Sequence, residues 1–159
     1  MKVETAFVEE AGVEDRYESH GNVVVDEVEL DEPQENEVLV DVKAAGVCHS
    51  DWHVATGDLG SEHFPIALGH EGAGVIERTG PGVDHVEEGD HVTLSWIPSC
   101  GKCAPCAQGN QHLCVRGEHI MSGPMLDGTF RMHHEGRDVG QALILGCYSE
   151  KIVVHEDSV

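Results

Sequence analysis

Basic residues are scarce in this chain of 159 residues: nine lysines and arginines stand against thirty aspartates and glutamates, for a formal net charge of −21. Only Lys2, Lys43, Lys102 and Lys151 carry an ammonium group. A surface this acidic repels phosphate, which argues against nucleic acid as a partner. No apolar run approaches the ~20 residues that a membrane-spanning helix needs. The first residues, Met1-Lys2-Val3-Glu4, lead into neither an apolar leader core nor a basic transit pattern, so the expectation is a cytoplasmic protein with reduced thiols. No internal repeat, low-complexity segment or linker divides the sequence. A glycine-rich G-x-G-x-x-G turn between a strand and a helix is also missing, and with it the alternation of strand and helix that a dinucleotide-binding Rossmann unit requires.

The acidity is dispersed along the chain, in Glu9-Glu10, Glu14-Asp15, Asp31-Glu32, Glu87-Glu88 and Glu156-Asp157. Solvated faces alone account for single pairs of this kind. The balance over the whole chain points to adaptation to molar salt, as in a halophile. There the screening length falls to ~3 Å and hydrated carboxylates keep the surface soluble without mutual repulsion.

What is present reads as β structure. In Glu37-Val38-Leu39-Val40-Asp41-Val42-Lys43, alternation places Val38, Val40 and Val42 on one face of a half-buried strand. His91 to Trp96 alternates in the same way, and Gly74–Glu77 and Ile152–Val154 read as further strands. Gly80-Pro81-Gly82 and Glu88-Gly89-Asp90 read as turns. Ser50 to Thr56 is the one short helix expected, with Ser50 at its N-cap. Short strands at this spacing predict a small barrel-like β domain over residues 1–159.

Residues 97 to 118 show no periodicity and hold four of the six cysteines, so something other than an apolar core must order them. Cys100, Cys103 and Cys106 are separated by two residues each, and Cys114 follows after seven. Two-residue gaps let successive thiolates wrap one tetrahedral Zn²⁺ at ~2.3 Å. Disulfides fit poorly in a chain without an export signal. The bacterial ferredoxin run needs a three-residue last gap followed by proline, whereas Val115 follows Cys114. Four thiolates leave no open coordination position, so the expected ion is structural.

Two further segments carry ligand chemistry: Gly46-Val47-Cys48-His49-Ser50-Asp51-Trp52-His53 and Gly69-His70-Glu71-Gly72-Ala73-Gly74-Val75. Each alone is a weak signal, since a buried cysteine is an ordinary small hydrophobe and a lone histidine is more often structural. Taken in order with the cysteine lobe, however, they give the chain from about Val23 to Val159 a resemblance to the zinc-dependent medium-chain alcohol dehydrogenases. Met125-Leu126-Asp127-Gly128-Thr129-Phe130-Arg131 and Gly136-Arg137-Asp138-Val139-Gly140 resemble most the branch assayed with nitrosoaniline dyes as electron acceptors.

The resemblance implies a GroES-like, partly open β-barrel with one short helix and a zinc lobe, completed by a Rossmann half not found in these residues. It implies that Cys48 and His70 are protein ligands of a catalytic zinc, with Glu71 beside the ion as an exchangeable ligand. Asp51 would orient a ligating imidazole. Ser50 and His53 would relay the alcohol proton to solvent. His49 would face the cofactor pyrophosphate, more weakly than the arginine found there in many relatives. Leu59 and Trp96 would wall the substrate pocket. Cys100, Cys103, Cys106 and Cys114 would hold the structural zinc.

The activity implied is oxidation of a small alcohol to an aldehyde or ketone, with hydride passing to NAD or NADP. The family's third catalytic ligand, a cysteine, falls downstream of Val159. Cys147 resembles the strand entry before that ligand and is expected to be a buried small residue. The 159 residues alone are therefore expected to be inactive. Two other readings stay open: a zinc-stabilised GroES-like binding or assembly module, and half of a sugar or polyol dehydrogenase. A homo-oligomer is compatible with all three.

Overall fold

The computed structural model describes residues 1–12 and 23–159; the acidic pair Glu14-Asp15 lies outside the described residues. Among the described residues nine strands form two sheets: β1 (Lys2–Val8), β2 (Val23–Leu30), β3 (Glu37–Ala45), β4 (Ile66–Ala67), β5 (Gly72–Thr79), β6 (His91–Thr93), β7 (Met132–His134), β8 (Arg137–Gln141) and β9 (Lys151–His155). The first sheet closes into a barrel in the order β1-β2-β7-β8-β4, with β4 returning to β1; the second runs β6-β5-β3-β9. Every pairing between these strands is antiparallel except β4 with β8. Mainly β architecture with a small barrel is therefore what the strand spacing required.

One core joins the two sheets. Phe7, Val28, Leu30 and Met132 from the barrel pack in a single cluster with Leu39, Val40, Ile76 and Ile152 from the second sheet. Burial of this apolar surface, at about 25 cal/mol per Å², is the dominant favourable contribution to the fold. A smaller cluster of Val8, Val54, Ala55, Ile66 and Leu68, with the ring of Tyr148 against it, seats the helix α1 (His49–Thr56) on the barrel.

Local departures from the expected elements have physical causes. Strand β3 is not half-buried: Glu37, Val38, Leu39 and Val40 are all buried. It is central, between β5 and β9, and the Glu37 carboxylate accepts two hydrogen bonds from Arg131, at 2.7 and 2.9 Å from Nε and Nη2. The expected strand at His91–Trp96 stops at Thr93, because Ser95 turns its N–H to the Ser158 carbonyl (2.8 Å). Helix α1 begins one residue early, with Cys48 and not Ser50 as its N-cap, and ends on Gly57 at φ 80°. A second helix, α2 (Ala104–Ala107), has Pro105 in its first turn, where a missing N–H costs nothing. Among the described residues no helix is long and apolar enough to cross a membrane.

Candidate metal centres

In the lobe between β6 and β7, the four sulfurs of Cys100, Cys103, Cys106 and Cys114 lie within 4.8 Å of one another. Helix α2 sets two of them: Cys103 is its N-cap and Cys106 lies in its single turn. Cys114 joins two short 3₁₀ turns. All six cysteines of the chain are free thiols. The sulfurs of Cys103 and Cys114 are 3.9 Å apart, close to the ~3.8 Å edge of a tetrahedron built from ~2.3 Å zinc–sulfur bonds. A disulfide would need ~2.05 Å. Neither core cluster includes a residue from 97 to 118, and Leu113 and Val115 are exposed. The lobe is thus a metal-shaped cage without an apolar core of its own.

The cage is electrostatically uneven. Backbone N–H groups of Val115 and Cys106 bring the Cys103 thiol down to about 6, and those of Lys102 and Cys103 lower Cys100. Burial, then the neighbouring Cys103 sulfur, pushes Cys106 up to about 12. Zinc binds the thiolate form, so any sulfur still protonated gives up its proton when a cation enters and uptake releases acid.

A second donor set converges where α1 meets the start of β5: Cys48, His70 and Glu71 present ligand atoms within 4.8 Å of one another. Its organiser is Asp51, a carboxylate only 5% exposed. Its Oδ1 accepts the Gly69 N–H at 2.9 Å and faces His70 Nδ1 at 3.2 Å; Oδ2 accepts the Cys48 N–H at 3.4 Å and the Tyr148 hydroxyl at 2.8 Å. An ionised carboxylate only accepts, so His70 carries its proton on Nδ1 and turns the Nε2 lone pair away from Asp51, available to a metal.

Tyr148 was not legible as a site residue. Its ring packs in the small core while its hydroxyl reaches both Asp51 and the Gly46 carbonyl (3.0 Å). Burial, then the Asp51 carboxylate, raises its pKa and keeps it protonated. Tyr148 N–H and Cys147 N–H bond to the carbonyls of Leu68 and Gly69, both at 2.9 Å. Only glycine fits at 69: its φ is 95°, and a Cβ would stand 2.6 Å from the Tyr148 nitrogen. A Cβ on Gly46 would stand 2.5 Å from the Glu71 carboxylate. Cys147 is buried, its thiol pushed up to about 11 by desolvation, and lies outside the donor set.

The remaining residues singled out in the sequence sit around this centre. Ser50 Oγ is 3.5 Å from the Cys48 sulfur. His53 Nε2 is 3.1 Å from His49 Nδ1, and His53 Nδ1 is 3.4 Å from Asp58, which also accepts the Thr56 hydroxyl at 2.9 Å. Leu59 is tied to α1 through its N–H to the His53 carbonyl (2.9 Å), whereas Trp96 lies beyond β6; both rings or chains are exposed. Neither lines the cavity of about 720 Å³ between the lobe and Arg131. That cavity is edged by Glu37, Arg116, Asp127 and His155, reaches Val115 beside the four-cysteine lobe, and is not lined by Cys48, His70 or Glu71.

Residues 34–159 match the family model described as the alcohol dehydrogenase GroES-like domain. The NDMA-dependent alcohol dehydrogenase of Amycolatopsis methanolica is 51% identical over 135 residues, which cover 85% of this chain and 36% of that protein. The fold is similar to the alcohol dehydrogenase zinc-binding domain protein of Burkholderia ambifaria (TM-score 0.86, 29% identity, covering 100% of this chain and 41% of that one). It is also similar to benzyl alcohol dehydrogenase of Acinetobacter calcoaceticus (TM-score 0.80, 29% identity, covering 98% and 40%). The chain spans about 36% of the length of the curated relatives it matches.

Proposed function

The chain belongs to the alcohol dehydrogenase GroES-like domain family, and on that premise we propose that it is the metal-bearing part of a zinc-dependent enzyme that oxidises small alcohols with NAD or NADP. The observation that supports this most is the convergence of Cys48, His70 and Glu71, with Asp51 fixing the tautomer that leaves His70 Nε2 free. Thiolate, imidazole and carboxylate together are a zinc donor set. A zinc held there supplies Lewis acidity that lowers the pKa of an alcohol hydroxyl. The lobe of four cysteines holds a second, structural ion.

This chain's own residues position the alcohol and carry its proton. Ser50 stands beside Cys48 and takes the hydroxyl proton; His53, one helical turn further along α1, receives it. The carboxylate of Asp58 and the ring of His49 flank the two nitrogens of His53, and both lie toward solvent. A nicotinamide bound by the other half would take the hydride and its electron pair from the carbinol carbon, leaving the proton to this relay. His49 contributes to the cofactor phosphates, and Leu59 and Trp96 to the substrate wall. The nicotinamide site belongs to the partner half of a longer polypeptide, and residues 1–159 by themselves turn over no alcohol.

The test is a full-length polypeptide joining residues 1–159 to the nucleotide-binding half of a similar relative. It is assayed with aliphatic and aromatic alcohols, NAD, NADP, and a nitrosoaniline dye as final acceptor. Cys48→Ala and His70→Ala should abolish turnover and Ser50→Ala should be severe. His53→Gln should be milder, since water replaces the outer end of a relay. Turnover indifferent to Cys48 and His70 would sink the proposal, as would alcohol oxidation by the 159 residues alone.

A further inference from the structure

A third donor set lies apart from both zinc centres. Asp84 and His85, in the loop after β5, and Glu156, in the turn after β9, bring ligand atoms within 4.8 Å of one another. Thr79, the last residue of β5, is paired with Val38, and His155, the last of β9, with Glu37. The two segments therefore leave the same end of the sheet, on either side of β3.

The Glu156 side chain is 14% exposed, and its Oε2 is wholly enclosed without a hydrogen-bond partner. His85 Nδ1 is 3.1 Å from that oxygen but is not aligned to donate to it. The two form an ion pair when His85 is protonated, but no aligned hydrogen bond repays the lost hydration of this oxygen. Two donors sharing one ion at ~2.1 Å stand about 3.0–3.4 Å apart for coordination angles between octahedral and tetrahedral. The observed 3.1 Å fits the edge of such a polyhedron as well as it fits the ion pair, so a cation can take the place of the imidazole proton.

We propose that Asp84, His85 and Glu156 form a third cation site, for a divalent ion of the manganese or zinc type. Two carboxylates suit Mn²⁺ and the imidazole suits zinc, whereas a soft ion such as Cu(I) would want sulfur. Asp84 and the outer face of His85 are open to solvent, so water completes the shell. The ion clips the β5–β6 loop to the turn after β9 across the end of β3. Glu156 is already held there by its N–H to the Asn36 carbonyl (2.8 Å).

The probe is Mn²⁺ added to the zinc-replete protein in molar KCl, followed by electron paramagnetic resonance and thermal melting. One saturable site per chain is expected, with a Tm rise of about 5–10 °C at a hundredfold excess over Kd. His85→Ala and Asp84→Asn, both at exposed positions, should each weaken Mn²⁺ at least about tenfold and cut the rise by about half or more. Glu88→Gln makes the same charge change in the same loop and should leave both intact. Absence of saturable binding below millimolar Mn²⁺ would overturn the site. So would equal weakening by Glu88→Gln, which would mean diffuse acidity, or loss in Cys48→Ser with retention in His85→Ala, which would put the ion at the other centre.

Discussion

Asp51→Asn replaces the organising carboxylate with an amide of the same shape, so its effects isolate charge and hydrogen bonding. Four donors converge on Asp51: the N–H groups of Gly69 and Cys48, His70 Nδ1 and the Tyr148 hydroxyl. An amide offers one accepting oxygen. With that oxygen toward Gly69 and His70, the NH₂ faces Tyr148 and Cys48. Tyr148 adapts by donating to the Gly46 carbonyl and accepting from the amide. The Cys48 N–H has no such escape and loses its acceptor. One unsatisfied group of this kind costs about 1–3 kcal/mol, or about 2–12 °C in Tm for a chain of this size. His70 keeps a weaker, neutral acceptor, so Co²⁺ or Zn²⁺ affinity at the Cys48–His70–Glu71 centre should fall about 10–100-fold. Cobalt absorption bands separate the two centres, because the four-cysteine lobe gives its own thiolate charge-transfer bands and should be unchanged. A variant with both Tm and affinity of the unmodified chain would refute the organising role of Asp51.

Elemental analysis should find about one tightly held zinc per chain, with a second at partial occupancy; Cys103→Ala should lose the tight one and expose the lobe to proteolysis, since no apolar core backs it. Thermal midpoints should climb from dilute buffer to molar KCl, because screening removes repulsion among thirty carboxylates; a flat curve would give the acidity another origin. Burial pushes the Asp127 carboxyl up, but the hydroxyl and N–H of Thr129 and the Arg131 guanidinium outweigh it and hold the group below its ordinary 3.8. A depressed carboxyl pKa stabilises the fold above the unfolded value and loses that contribution as pH falls through the folded one. Asp127→Asn should therefore be less stable than the parent at neutral pH, with the difference shrinking in urea titrations only as pH falls below about 3.8 and through the lowered folded value.

Much of this was readable from residue order. Cysteine spacing marks the lobe because two-residue gaps are a local constraint, and 38-to-42 alternation marks β3 because pleating is local too. The family resemblance named Cys48, His70, Glu71 and Asp51 as neighbours, although residues 48 and 70 come together only through α1 and β4. Tyr148 escaped because its role depends on pairing 147–148 with 68–69, a long-range contact with no periodic signature. Strands β1 and β2 were missed for a related reason. Val23–Leu30 mixes valines with acidic residues, and its register against Lys2–Val8 is set by the partner strand. The buried Arg131–Glu37 pair is likewise invisible in a chain whose acidic residues otherwise read as solvated surface.

The central place of β3 has a consequence for synthesis. Its partner β9 pairs Glu37 to Asp41 with residues 151–155, about 110 positions later. At roughly 5–20 residues per second, a growing chain exposes that edge for about 5–20 s before β9 can cover it. The open edge carries Val38, Leu39 and Val40 beside Glu37 and Asp41, and unpaired apolar edges recruit other chains. The two carboxylates within this stretch therefore act as gatekeepers on the nascent polypeptide, repelling a second copy until Lys151 arrives to face Asp41.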